Sequence, residues 1–183
     1  MKNGVSVIID KVQATTKSIA GLAGSRVLVG YPEETSYRNG AINNPTLGYI
    51  HEHGAPEINL PARPHLVPGI EGGKKTLVSW MEAAAKAALN GDEKKLLAAL
   101  NAAGLAGQSL VRGKIQAGIP PPLKQATVTA RRRRKLRGMS AFDQAKSEYR
   151  RKATKPAHVT PLIDTGALLQ SINYVVQQAG KTK

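Results

Sequence analysis

His51-Glu52-His53 brings together the residue types that come nearest to a reactive site in this chain. Imidazole and carboxylate are the donors of zinc sites and the acid–base groups of a hydrolase, which here would work through His51 or Glu52. Alternation along a helix sends the two imidazoles to different faces, and the four-residue spacing of helical zinc enzymes is absent. The segment therefore reads as a polar helix end before Gly54. Gly69-Ile70-Glu71-Gly72-Gly73-Lys74-Lys75-Thr76 has the ingredients of a phosphate-binding loop. Its first glycine stands too close to the lysine, and neither Ser nor Thr follows Lys74, so it reads as a flexible lead-in to a helix. Glu33-Glu34 and Asp92-Glu93 fall in turn and helix-start contexts that need no catalytic explanation. Ser109, Ser171 and Asp164 form no nucleophile motif, and His65 and His158 stand alone as packing or surface residues. The expectation is a protein with no catalytic residues, no cofactor and no metal site.

The other chemistry is electrostatic. Arg131, Arg132, Arg133, Arg134, Lys135 and Arg137 form one basic cluster, with Arg150, Arg151 and Lys152 a second, in a chain of formal net charge +15. Guanidinium groups make paired, charge-assisted bonds to phosphates or carboxylates, so an anionic partner is expected at these residues. No aromatic side chains interleave the cationic cluster to stack bases, and no base-reading module is recognisable. The partner can be DNA held without regard to sequence or an acidic protein surface, and a solvated stretch with no ligand is the plain alternative.

These groups must be carried by some scaffold. With 183 residues, 41% of them hydrophobic, the chain suits one domain, 1–183. Aromatic residues make up only 4%, so the core is expected to be Leu, Ile, Val and Ala in close helix packing, with the single Trp80 important locally. The absence of cysteine excludes disulfides and thiolate chemistry. Asp10 and Lys11 interrupt the apolar start too early for a signal peptide, and no apolar run reaches membrane-spanning length, so a soluble cytoplasmic chain without membrane contact is expected.

β-Branched residues predict a strand at 5–9 and a short helix from there to Ala20; the apolar run 26–31, closed by Pro32, is the better strand. Residues 33–45 read as a polar loop, followed by a helix capped by Thr46 and ended at Gly54. Leu77, Trp80, Met81, Ala84 and Ala88 mark one face of a helix beginning at Lys74 and ending at Asn90-Gly91. Asp92 caps the next, whose inner face is Leu97, Leu100, Gly104, Gly107, Val111 and Ile115; the two glycines imply a close neighbouring backbone. Residues 124–160 read as a flexible basic insertion, a solvated arm helical in parts. Asp164 or Thr165 then caps a short helix with Leu168, Leu169 and Ile172 turned inward, and residues 173–177 form a last strand. The predicted fold class is α+β: a small, mostly antiparallel sheet from the segments around Val5, Val27 and Tyr174, packed by two longer helices, with a long basic loop or arm.

Three short stretches carry a family likeness. They are Leu60-Pro61-Ala62-Arg63-Pro64-His65-Leu66, Ile119-Pro120-Pro121-Pro122-Leu123, and Pro161-Leu162-Ile163-Asp164-Thr165-Gly166-Ala167-Leu168-Leu169-Gln170-Ser171-Ile172. Taken by themselves they are a stiff connector with an exposed cation, a helix stop, and a capped helix start. In their order they resemble signatures of the tail-completion, or neck, proteins of long-tailed bacteriophages, also described as tail components or virion-morphogenesis proteins. The chain departs from that pattern at His65, where an aromatic ring such as Phe is usual, and in its long basic stretch before Pro161. The resemblance implies a structural virion protein at the head-to-tail junction, assembled in the host cytoplasm. It also implies a homo-oligomeric ring, commonly a hexamer, that touches neighbouring neck, head-completion, tail-terminator and tail-tube proteins. Arg63, His65, Asp164, Thr165 and Gly166 are then the candidate partner or subunit contacts. The alternative is a nucleic-acid-binding accessory protein working through the cluster from Arg131 to Arg137.

Overall fold

The computed structural model describes residues 4–33, 42–137, 139–153 and 159–178, without the side chains of 4–11, 148 and 150–153. Its elements in chain order are α1 (Gly4–Ala23), β1 (Arg26–Gly30), α2 (Asn44–His53), α3 (Leu66–Gly72), α4 (Lys74–Leu89), α5 (Glu93–Gln116), α6 (Gln125–Leu136), α7 (Ala141–Ala153), α8 (Ala167–Ser171) and β2 (Asn173–Gln177). The fold class is α+β: helices with a small antiparallel sheet packed against them.

α5 is the spine. Asp92 starts it by accepting the Lys95 N–H on Oδ1 at 3.0 Å, and Gly91, at φ 69°, makes the turn that folds α4 back along it. β1 and β2 pair antiparallel, from Arg26 opposite Gln177 to Gly30 opposite Asn173, and lie on α5. Gly104 and Gly107 permit that approach: a Cβ at Gly104 would run into the Tyr174 ring, and one at Gly107 would stand 2.9 Å from Val29. The core has two parts strung along this helix. Toward its start, Leu96, Ala99 and Leu100 pack with Ala84, Ala87 and Ala88 of α4, backed by Leu22 and Val27. Toward its end, Val111 and Ile115 join Ile119, Leu162, Leu168 and Ile172.

Several expectations change. Residues 5–9 are not a strand but the first turns of α1, so the sheet has two strands among the described residues rather than three. No proline or glycine interrupts the chain between Val5 and Ala20, and Thr15, Ser18 and Leu22 fall at helical steps on the less exposed side of α1, which packs on α4. The inner face of α4 is its alanines, whereas Trp80 and Met81 are 40% and 42% exposed. These alanines pack against Leu96, Ala99 and Leu100 of α5. The cap of α2 is Asn43, whose Oδ1 accepts the Thr46 N–H at 2.9 Å, not Thr46 itself; Gly54 ends it as expected, at φ 80°. The lead-in before Lys74 is the helix α3, seated on α5 with Gly69 against Val111 and Gly73 against Leu110.

The basic stretch contains α6 and α7, and no residue of α6 is buried. The cap of α8 is Gly166, at φ 86°, instead of Asp164 or Thr165. Thr165 Oγ1 still takes the Ala167 N–H, at 3.3 Å, but Asp164 is drawn away to arginines of α6. Residues 34–41 of the expected polar loop, and His158, lie outside the described residues.

Candidate functional site

The segment from Leu60 to Pro64 is extended because its prolines forbid helix, and the stretch that carries it into α3 is pinned at three places. Ala55 and Leu60 form a β-bridge, the Arg63 N–H donates to His51 O at 2.7 Å, and Glu52 reaches the start of α3. Glu52 Oε2 accepts the N–H groups of His65 at 2.7 Å and Leu66 at 3.1 Å, while Oε1 stands 3.4 Å from the Val67 N–H. The opening turn of a helix leaves such donors without intrahelical partners, and an anion there is favourable. The carboxylate that suggested metal or hydrolase chemistry is thus a cap supplied from α2. His53 stacks on Tyr49, with ring centroids 4.2 Å apart. Among the described residues no group of three or more His, Asp or Glu lies close enough to hold a metal ion.

His65 is fully buried and completes a chain of hydrogen bonds. Its Nδ1 faces only acceptors, Arg63 O at 2.9 Å and Glu52 Oε2 at 3.0 Å, so it carries the hydrogen. Nε2 then accepts from the Tyr31 hydroxyl at 2.6 Å. Burial first, and the Glu52 charge second, push that hydroxyl well above the ordinary tyrosine value, which keeps it a donor. The ring lies edge-on to Tyr31, so imidazole here fills an aromatic site while also satisfying polar neighbours. Gly48 leaves room for the Tyr31 ring, which would collide with any Cβ at that position. The Tyr31–His65–Glu52 relay does not open onto the cleft described next, and His65 offers no surface to a partner in this conformation.

Beside the relay is a cleft of about 780 Å³. One wall is the connector with Pro61 and Arg63, another is Pro121, Pro122 and Leu123, and a third is the turn from Leu162 to Leu168. All three stretches named above for their family likeness therefore face one cavity. α6 closes it with Lys124, Thr127, Arg131 and Arg134. Arg63 is 5% exposed, not the free cation expected of a stiff connector: its Nη2 donates to Pro121 O at 3.0 Å, and its buried Nε has no hydrogen-bond partner. Burial, and then the like charge of Arg131, draw its guanidinium below the usual arginine value.

Arg131 Nη1 donates to Ile163 O at 2.7 Å and Thr160 O at 3.4 Å, its Nε lies 3.8 Å from Asp164 Oδ1, and Arg134 pairs with the other oxygen of Asp164. These bonds hold α6 to the 160–164 turn. Leu162 in that turn is buried yet has φ 67°, a left-handed conformation that costs a leucine about 1–3 kcal/mol and survives only where surroundings over-determine it.

Of the residues expected to meet a partner, Arg63, Asp164, Thr165, Gly166, Arg131 and Arg134 come together at the cleft. Arg133, Lys135 and Arg137 are exposed outside it, and Arg132 is half-buried on the same helix. Arg150, Arg151 and Lys152 fall on the last turns of α7, and their side chains lie outside the described residues. Tyr31, Lys124 and Thr127 had no distinguishing signal in the sequence. No helix among the described residues is long and apolar enough to cross a membrane. No protein-family model, curated protein or solved structure matches the chain.

Proposed function

We propose that this chain is a structural virion protein of the head-to-tail junction of a long-tailed bacteriophage, acting within a homo-oligomeric ring to complete the tail or join it to the head. The hexamer and the neighbouring neck, head-completion and tail proteins come with that proposal, as does assembly in the host cytoplasm. One observation supports it above others. Three stretches that resemble neck-protein signatures, far apart in sequence, line a single cleft, which is what a shared interaction site requires and unrelated coincidences do not. The groups around the cleft fix backbone and charge: Glu52 caps α3 and Asp164 anchors α6. No covalent chemistry is required of the chain.

The test is Gly166→Val in a phage that encodes the chain. Gly166 sits at φ 86°, where a β-branched side chain is strongly disfavoured. Capsids should fill with DNA while tails remain unjoined. Normal joining by a stably folded variant would remove the turn from this function, and a purified chain that stays monomeric at every concentration and with every neck protein would remove the ring.

A second reading has its own observation: Arg133 and Lys135 of α6, and Arg137 just after it, are exposed outside the cleft. A DNA contact there would be indifferent to sequence and would weaken steeply with salt, with a smaller slope once these residues are neutralised.

A further inference from the structure

The geometry points to the cleft beneath α6 as a docking groove for an extended acidic peptide of a neighbouring protein, whose carboxylates meet the arginines while its apolar side chains cover the floor. The inference rests on the neck function in taking the occupant to be protein. Leu47, Leu60, Leu162 and Leu168 supply apolar lining, and Arg63, Lys124, Arg131 and Arg134 supply positive charge. Asp164 is the one acid among the lining residues, and it is already engaged by Arg131 and Arg134. Cations therefore remain in excess. Arg63 adds to the excess, because it lines the cleft and its Nη2 donates to a neutral acceptor, Pro121 O. A carboxylate beside such a cation gains a charge-assisted interaction that a carbonyl does not supply.

The lining also chooses among anions. A DNA duplex presents phosphates on a convex surface and has nothing apolar to cover the leucines, whereas the exposed cations outside the cleft suit it better. An extended peptide alternates its side chains between opposite sides, so acidic and apolar residues can meet basic and apolar walls together. A second copy of this chain is a poor source, with 27 Lys and Arg against 12 Asp and Glu. The matching surface belongs to a partner of opposite charge.

The experiment uses the full chain and a fluorescein-labelled peptide alternating glutamate and leucine. A length of about eight residues spans roughly 26–29 Å when extended. Anisotropy should show saturable binding, weakened about tenfold or more when glutamine replaces every glutamate in the peptide. Lys124→Gln with Arg134→Gln should weaken it by a similar factor. Thr127→Trp fills the cleft without changing charge and should abolish it, with circular dichroism checking that each variant is folded. Equal binding of the glutamine peptide, or unchanged binding to a folded Thr127→Trp chain, would overturn the proposal. So would a single-stranded oligonucleotide of matching charge that binds the wild-type chain more tightly and is lost in Thr127→Trp. Peptide binding by the wild-type chain, together with normal head–tail joining in a phage from which the chain is deleted, would leave the groove standing and remove the neck function. Absence of peptide binding with joining abolished would do the reverse.

Discussion

Replacing Glu52 with alanine should destabilise the chain by about 3 kcal/mol, since charge-assisted hydrogen bonds contribute roughly 1.5–3 kcal/mol each and orphaned buried donors cost a similar amount. The carboxylate makes the short bonds to the His65 and Leu66 N–H groups at 2.7 and 3.1 Å, and the 3.4 Å approach to Val67 adds little. His65 is fully buried, so water cannot take the place of its lost acceptor, while the partly buried Leu66 N–H can be rehydrated at smaller cost. We assign about 2 kcal/mol to the first and about 1 kcal/mol to the second. For a chain of this size that is a fall in Tm of roughly 6–12 °C. Glu52→Gln keeps one acceptor but turns an amide N–H₂ toward donors, and should lose about half as much. Urea unfolding followed by far-UV circular dichroism and by fluorescence of the single Trp80 gives both values, provided the two transitions coincide. An alanine variant within about 0.5 kcal/mol of wild type, the usual range for surface changes, would refute the role given to Glu52.

Two further outcomes test other parts of the structure. The folded chain holds the Tyr31 proton more tightly than the unfolded chain, whose hydroxyl titrates near 10.0; this contribution is complete below that pH and is lost as pH rises above it. Thermal melts from about pH 8 upward should show a steeper alkaline fall in wild type than in Tyr31→Phe, which gives up a hydrogen bond of about 1 kcal/mol at neutral pH; parallel profiles would count against the buried relay. Gly104→Ala gains about 1 kcal/mol of helix propensity, yet its Cβ meets the Tyr174 ring. Overpacking of about 1–3 kcal/mol should win, and a variant more stable than wild type in urea would mean that β2 can move off α5 freely.

Features decided by neighbours in sequence were legible. Asn90-Gly91, the Asp92 cap, the Gly54 stop, and the glycine face of α5 all follow from local rules, and both described strands stand where β-branched runs predicted them. Residues 5–9 misled because β-branched side chains tolerate a helix once an adjoining helix packs along it. Features decided across the chain were not legible. Glu52 looked like a member of a histidine cluster because the donors it caps belong to another helix. Arg131 and Arg134 looked solvated because Asp164, Thr160 and Ile163 reach them only after folding. His65 read as a departure from an aromatic pattern, and burial beside Tyr31, Arg63 O and Glu52 gives imidazole the partners that a phenyl ring would not need.

The pairing of β1 with β2 brings opposite ends of the described chain into register, and this gives synthesis a definite order of events. The α4–α5 hairpin joins sequence neighbours and can close while the chain is still emerging from the ribosome. β1 is made early and must wait with its edge unsatisfied until residues 173–177 appear. The cleft waits almost as long, because Leu162, Asp164 and Leu168 form its last wall. Sheet and cleft are therefore completed at nearly the same moment. A chain stopped before residue 162 carries α1 to α7 with neither the paired sheet nor the last wall of the cleft.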